Sequence, residues 1–158
     1  MVSVEGDRID PKFTIKRISR GNTIDHRENE LRDSITVWRK ERKPIAPKAI
    51  SPSGSGVAVK GAVLKAGQFK SDYTGTFHAA SHWQVSESKG FEKLAYESWQ
   101  QFENWYYKEN RQKDDDLTDE KTQRLNPNTT YYWRVRYRDQ NLNWSDWSNV
   151  MTFKTEEE

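Results

Sequence analysis

The most restrictive feature of the sequence is a strict alternation of side chains near its C-terminal end. The odd positions are aromatic or aliphatic: Tyr131, Trp133, Val135 and Tyr137. The even positions from 134 onward are basic: Arg134, Arg136 and Arg138. A period of two is that of a β-strand, whose successive side chains point to opposite faces of a sheet. The segment therefore predicts a strand with an aromatic face against a core and a basic face directed outward.

The composition supports a folded domain with an aromatic core. Among 158 residues there are seven Trp, seven Tyr and six Phe, although only 33% of residues are hydrophobic. Aromatic side chains bury large areas, and disordered chains contain few of them. The chain has no cysteine, which excludes disulfides, Cys-zinc sites and cysteine nucleophiles. The net charge of +2 argues against a nucleic-acid partner, and no segment is apolar enough for a membrane span.

The segment that contains the alternation resembles a known family. Its pattern is Leu-x-Pro-x-Thr-x-Tyr-x-Trp-x-Val-x-Tyr over 125–137, and a closing strand follows at 150–155. This resembles the E–F corner and the F strand of fibronectin type III domains. The resemblance covers about residues 45–155 and implies a mainly β, immunoglobulin-like sandwich. It also implies that the hydroxyl of Tyr131 ties the corner backbone, as in the tyrosine corner of that family.

The rest of the chain divides into three predicted parts. Residues 1–43 contain two alternating segments, Phe13–Lys16 and Ile35–Val37, which predict an N-terminal β-ribbon, a remnant of a preceding domain. Residues 44–50 contain two prolines and predict a linker. Residues 51–156 form the predicted sandwich, with an insert at about 87–124.

The insert carries aromatic and aliphatic side chains at spacings of three and four. They are Phe91, Leu94, Ala95, Trp99, Phe102, Trp105 and Tyr106. This spacing predicts an inserted helix, or a strand followed by a helix, packed on the sandwich. The alternative role is a ligand platform of exposed aromatics formed by Trp99, Trp105 and Tyr106.

The segment Trp144-Ser145-Asp146-Trp147-Ser148 resembles the Trp-Ser-x-Trp-Ser box of class I cytokine receptors. In those receptors the box follows strand F, and strand F arginines interleave with its two tryptophans. The resemblance implies a structural ladder made of Arg134, Arg136, Arg138, Trp144 and Trp147. Two alternatives remain open, which are a row of arginines that binds an anion and true membership of the receptor class.

No metal, cofactor or catalytic set is predicted. His78 and His82 have the spacing of a helical zinc pair, but on a strand they would lie on one face about 13 Å apart. The acidic residues Asp114 to Asp116, Asp119 and Glu120 predict a solvated loop rather than a calcium site. The sequence has no phosphate-binding glycine loop and no nucleophile motif, so the chain is not expected to be an enzyme.

The segments 75–86 and 132–139 resemble modules of large secreted bacterial proteins, some of them hydrolases such as calcineurin-like metallophosphoesterases. The resemblance implies a non-catalytic spacer or docking module whose partner is the preceding domain of its own chain. It also implies an extracellular, periplasmic or cell-surface location. Two alternatives are a carbohydrate-binding module that uses the insert aromatics to bind a glycan, and a C-terminal fragment of a metallophosphoesterase without its catalytic residues.

Overall fold

The computed structural model describes residues 2–5, 8–14, 31–34, 37–38, 42–101, 104–105, 109–110 and 117–157. Every regular element in these residues is a β-strand. The chain divides into two compact units, Met1–Arg42 and Lys43–Glu158.

The first unit is a small antiparallel sheet around one long strand. Its described strands are β1 (Val2–Glu5), β2 (Arg8–Thr14), β3 (Leu31–Ser34) and β4 (Val37–Trp38). The strand β2 pairs with each of the other three. The two predicted strands, Phe13–Lys16 and Ile35–Val37, overlap β2 and β4 in the described residues, and the structure adds β1 and β3.

The described strands of the second unit's sandwich are β5 (Ala49–Ser51), β6 (Gly54–Val57), β7 (Val63–Ala66), β8 (His78–Ser86), β9 (Leu94–Gln101), β12 (Asp119–Lys121), β13 (Thr130–Asp139) and β14 (Met151–Thr155). They form two sheets, the smaller with the order β12-β7-β5 and the larger with the order β6-β14-β13-β8-β9. Two short strands, β10 (Asn104–Trp105) and β11 (Glu109–Asn110), pair with each other as a separate two-stranded sheet. The predicted mainly β sandwich is confirmed.

The core lies between these two sheets. Trp83 and Trp133 are fully buried, with ring centroids 6.0 Å apart. The predicted register of β13 is correct, because the odd side chains from Tyr131 to Tyr137 are all buried. Further core residues come from the opposite sheet and the closing strand: Ala49, Leu64, Ala66 and Phe153. Large aromatic side chains thus compensate for the low hydrophobic content of the chain.

Residues 44–50, which the sequence assigned to a linker, lie against the sandwich. Pro44 and Pro47 are buried, and Ala49 belongs to β5 and to the core. The backbone N–H of Ile45 donates to the carbonyl of Lys70 at 2.9 Å. The sandwich therefore includes chain that the sequence placed before it.

Residues 94–101 form strand β9, so the first of the two predictions for the insert, a helix over this stretch, is wrong, whereas a strand here agrees with the second. This strand pairs antiparallel with β8, and its exposure alternates along its whole length. Tyr96 and Ser98 face inward, where both hydroxyls donate to Glu120 of the opposite sheet, at 2.6 and 3.0 Å. The inward side chains are largely polar, so hydrophobicity alone did not reveal the period of two. Phe102 and Tyr106 fall outside the described residues.

Candidate functional site

The outer face of the larger sheet carries charged, polar and aromatic side chains from three strands. Cross-strand pairing arranges them in three rows from β13 through β8 to β9. The rows are Arg134–Gln84–Glu97, Arg136–His82–Trp99 and Arg138–Ala80–Gln101. We call these nine residues, together with Trp144 and Trp147, the Arg–Trp face.

The two box tryptophans reach this face because the box runs along the free edge of β13. The backbone N–H groups of Ser145 and Ser148 donate to the carbonyls of Tyr137 and Val135, both at 2.8 Å. In return, the N–H groups of Tyr137 and Val135 donate to the Oγ atoms of the same serines, at 3.0 and 3.1 Å. The serines therefore take the place of a neighbouring strand, and Trp144 and Trp147, each directly before one of them, lie beside the arginines.

Arginines and aromatic rings alternate along the face. The Cζ of Arg134 lies 4.0 Å from the ring centroid of Phe91 and 4.2 Å from that of Trp147. The Cζ of Arg136 lies between Trp147 and Trp144, at 4.6 and 4.7 Å. The order along the ladder is Phe91, Arg134, Trp147, Arg136, Trp144 and Arg138, the last pair being 5.5 Å apart. Each ring faces a cation, which separates like charges that would otherwise repel.

The first row adds a chain of hydrogen bonds. The Nε and Nη2 atoms of Arg134 donate to Gln84 Oε1 at 3.0 and 2.8 Å. Gln84 Nε2 then donates to Glu97 Oε1 at 2.9 Å. This bond, followed by the one from His82, holds the pKa of Glu97 below its usual range. Burial lowers the pKa of Arg134 and of Arg136 from their usual values, since the aromatic rings displace water from both guanidinium groups.

His82 lies at the centre of the face and is almost entirely buried. Arg136 Nε donates to His82 Nδ1 at 3.2 Å, and His82 Nε2 lies 2.8 Å from Glu97 Oε1. An arginine N–H can only donate, so these contacts assign a neutral imidazole with its proton on Nε2. Burial is the main cause that lowers the pKa of His82. The imidazole therefore acts as a fixed connector between a cation and a carboxylate.

The predicted ligand platform is only partly described. Trp99 is 57% exposed, and its ring stacks on His82 with centroids 3.6 Å apart. Trp105 belongs to the short strand β10, which pairs with β11. Tyr106 lies outside the described residues.

The hydroxyl of Tyr131, for which the sequence resemblance implied a contact with the corner backbone, lies beside the chain that precedes β13. The backbone N–H of Asn126 donates to the Tyr131 hydroxyl at 2.9 Å. Burial raises the pKa of Tyr131, so this hydroxyl stays protonated.

The two histidines lie on opposite faces of β8, so their predicted position on one face is wrong. The pairing of β8 with β13 shifts register between Arg138 and Asp139, and this bulge turns His78 inward. There His78 packs on Tyr137, with ring centroids 4.0 Å apart. Within the described residues, no group of three His, Asp or Glu side chains could hold a metal ion. Asp114 to Asp116 fall outside those residues, and Glu120 is engaged by Tyr96 and Ser98.

Sequence reasoning missed several members of the face. Phe91 was assigned to the insert stripe, yet it ends the ladder with a left-handed backbone at φ 61°. The roles of Gln84, His82 and Glu97 follow from pairing between distant strands, for which the sequence carries no local signal.

The two packed sheets, the tyrosine corner and the Arg–Trp face define an immunoglobulin-like β-sandwich. Within this class, residues 68–156 match a family described as "Rha78A-like, N-terminal immunoglobulin domain". The match covers more than half of the chain, and the chain belongs to this family. A search of curated proteins found no match.

Solved structures with a similar fold include much larger proteins. The α-L-rhamnosidase from Dictyoglumus thermophilum is 19% identical, with a TM-score of 0.51 over 75% of this chain and 13% of its own. The Streptomyces avermitilis α-L-rhamnosidase, solved with L-rhamnose, is 18% identical, with a TM-score of 0.49 over 72% of this chain and 10% of its own. The sixth fibronectin type III domain of a human protein is 15% identical, with a TM-score of 0.43 over 75% of this chain and 89% of its own. This chain thus spans about a tenth of the length of the rhamnosidases that it matches.

The part of the chain that the structure describes contains no helix with the length and hydropathy needed to cross a membrane.

Proposed function

We propose that the chain is a non-catalytic accessory domain of a larger glycoside hydrolase, whose substrates are α-L-rhamnosides. The observation that carries this proposal is the family match over residues 68–156, whose description places such domains at the N-terminus of Rha78A-like proteins. The resemblance in sequence suggested an accessory module of a larger secreted bacterial protein, with the C-terminal fragment of a metallophosphoesterase as one alternative. The family match favours the glycosidase parent, and we adopt it.

The chemistry of the Arg–Trp face supports a role without catalysis. Its two groups best suited to acid–base work, His82 and Glu97, are bonded to each other and to neighbouring side chains. A general acid or base needs a lone pair or proton directed at a substrate, in a site that can bind it. Here the nitrogens of His82 are both occupied, and the imidazole is shielded from solvent.

The accessory role consists of spacing and docking. A sandwich with a rigid core presents a fixed surface to neighbouring domains of its own chain, and we propose the preceding or following domain of the parent as its partner. Because glycosidases that act on polysaccharides meet them outside the cell, we further propose an extracellular, periplasmic or cell-surface location in a bacterium.

The test is to extend the reading frame beyond both ends of this chain and to assay the products. We expect a glycoside hydrolase domain in the same frame, with p-nitrophenyl α-L-rhamnoside turnover in the full-length protein. Deleting residues 43–158 should lower the thermal stability of that protein and leave its catalytic groups in place. A frame that encodes no hydrolase, or one that encodes a metallophosphoesterase, would contradict the proposed parent.

A further inference from the structure

The exposed ring of Trp99 is held in a fixed orientation. It stacks on the buried imidazole of His82 at 3.6 Å, with an interplanar angle of 19°. Although it is 57% exposed, its lower face is thus supported by a side chain that Arg136 and Glu97 themselves fix. A rigid aromatic surface loses little conformational entropy when a ligand binds to it.

The outward face of Trp99 is not covered by the neighbouring indole. Trp144 stands at 89° to Trp99, with centroids 5.3 Å apart, and its centroid is 6.2 Å from that of His82. If Trp144 lay over the outward face, its distance from His82 would be close to the sum of the two other separations. The shorter distance places Trp144 at the side of the Trp99–His82 stack. The two indoles therefore form a floor and a wall.

Hydrogen-bonding groups flank the floor along β9. Glu97 and Gln101 point to the same side of the sheet as Trp99, each about 7 Å away along the strand. The Glu97 side chain is 42% exposed, and its hydrogen bonds to His82 and Gln84 both engage Oε1. The side chain of Gln101 is exposed and makes no hydrogen bond within the described part of the chain. A flat apolar surface between a carboxylate and an amide matches the apolar ring face and equatorial hydroxyls of a pyranose sugar.

The composition of the face distinguishes a sugar from a protein partner. Among the described residues of β8, β9 and β13, Trp99 is the only large hydrophobic side chain that is exposed. Its neighbours are polar or charged, whereas a stable protein interface has an extended apolar centre. One ring with polar flanks is suited to a single sugar residue.

We propose that Trp99, Glu97 and Gln101, with Trp144 as a side wall, bind one pyranose residue of a glycan chain. This site goes beyond the spacer role, and it holds whether or not the parent protein is a rhamnosidase. A site with one stacking ring binds weakly. Its contribution becomes significant when a catalytic domain in the same chain binds the same glycan, because the second contact is then intramolecular.

The experiment uses the full chain on an array of immobilised plant and bacterial cell-wall polysaccharides, followed by calorimetry with the soluble form of any polysaccharide that retains it. Trp99→Ala should weaken binding about tenfold or more, since it removes the aromatic floor. Gln101→Ala should weaken binding severalfold without touching the core. Ile50→Ala is the matched control, because Ile50 is 54% exposed on the opposite sheet, and this variant should bind like the unchanged chain.

Circular dichroism and melting temperature report whether each variant is folded. Should Trp99→Ala fail to fold, Gln101→Ala and Trp99→Phe carry the test, with weaker binding expected in both. Retention of no polysaccharide on the array overturns the proposal. Binding that is unchanged in Trp99→Ala and Gln101→Ala also overturns it, because the glycan would then bind elsewhere. If Trp99→Ala keeps its glycan binding but no longer contacts another domain of the parent protein, the proposal is overturned and the face is a protein interface instead.

Discussion

At the scale of residues, the Arg–Trp face shows how three like charges can share one strand. Each guanidinium group lies against at least one aromatic ring, and Arg136 lies between two. A cation–π contact contributes about 0.5–1 kcal/mol when exposed and about 2 kcal/mol when desolvated. Hydrogen bonds through Gln84 and His82 then link Arg134 and Arg136 to the single carboxylate of Glu97.

The contact between Arg136 and Trp147 should appear as a coupling in unfolding free energy. We expect Arg136→Ala to destabilise the fold by about 1–2 kcal/mol, through the lost cation–π contact and the packing of its methylene groups. Trp147→Ala should cost more, because it removes two such contacts together with aromatic area. The double variant should cost at least about 0.5 kcal/mol less than the sum in urea melts.

A control pair for this cycle combines Trp147→Ala with Lys65→Ala. Lys65 is an exposed residue of β7 on the other sheet, so its effect should simply add. Strict additivity of Arg136→Ala and Trp147→Ala as well would mean that the ladder contact has no energetic role, and the arginine row would be free for an anion.

His82 should make stability depend on pH. Its pKa is lowered in the fold from the ordinary value of 6.5, so the unfolded chain binds more protons between the folded and unfolded values. The free energy of unfolding should therefore fall as the pH drops through about 6.5. The groups facing His82 are Glu97, Arg136 and Arg134, and none of them changes charge near pH 6.5.

The measurement is a series of urea melts from pH 7.5 to 5 on the chain and on His82→Gln. The variant should be less stable at pH 7.5. It should also lose less stability toward pH 5, because it lacks the imidazole whose pKa is lowered in the fold, whereas both proteins keep their other two histidines. Equal slopes for the two proteins would show that His82 does not titrate differently in the folded and unfolded states.

At the scale of elements, the sandwich depends on β13, which has a partner along both edges. β8 pairs along one edge, and β14 followed by the serine box completes the other. Backbone groups left without a hydrogen bond in a buried position are costly, and the box supplies partners for those of Val135 and Tyr137. The two serines meet that need without a regular strand.

Ser148→Ala tests this edge. It leaves the buried N–H of Val135 without its side-chain acceptor, and we expect a loss of about 1–3 kcal/mol in unfolding free energy. Ser55→Ala, at an exposed position of β6, should change stability by less than about 0.5 kcal/mol. Equal, small effects from both variants in thermal melts would argue against a structural role for the box serines.

The strands β13 and β9 differ in how far their sequence predicts them. β13 was predictable because its aromatic and basic residues alternate without interruption. β9 was not predictable, because its inward side chains include the polar residues Ser98 and Gln100. Ser98 is directed inward to Glu120 of the other sheet, a contact between distant parts of the chain. The inward turn of His78 depends on a bulge that arises only when β8 pairs with β13. Patterns confined to one strand were thus readable, whereas features created by pairing were not.

At the scale of the whole molecule, the chain divides after Arg42, and the second unit should fold without the first. The core cluster is drawn entirely from residues 49–153, and Lys43–Glu158 is a compact unit in itself. We expect a chain of residues 43–158 to unfold cooperatively, with a melting temperature within a few degrees of the full chain. A fragment without near-ultraviolet circular dichroism, or with a non-cooperative melt, would show that residues 1–42 are needed for the sandwich.

The domain should not itself catalyse the reaction of its proposed parent. The most direct measurement is the turnover of p-nitrophenyl α-L-rhamnoside and p-nitrophenyl phosphate by the purified chain, with and without Mg²⁺, Mn²⁺ and Zn²⁺. We predict rates equal to those of the buffer under every condition, because both nitrogens of His82 are occupied and Glu97 has no second carboxylate beside it on the Arg–Trp face, as glycoside hydrolysis requires. Turnover that rises in proportion to the chain and disappears in Glu97→Gln would contradict this account.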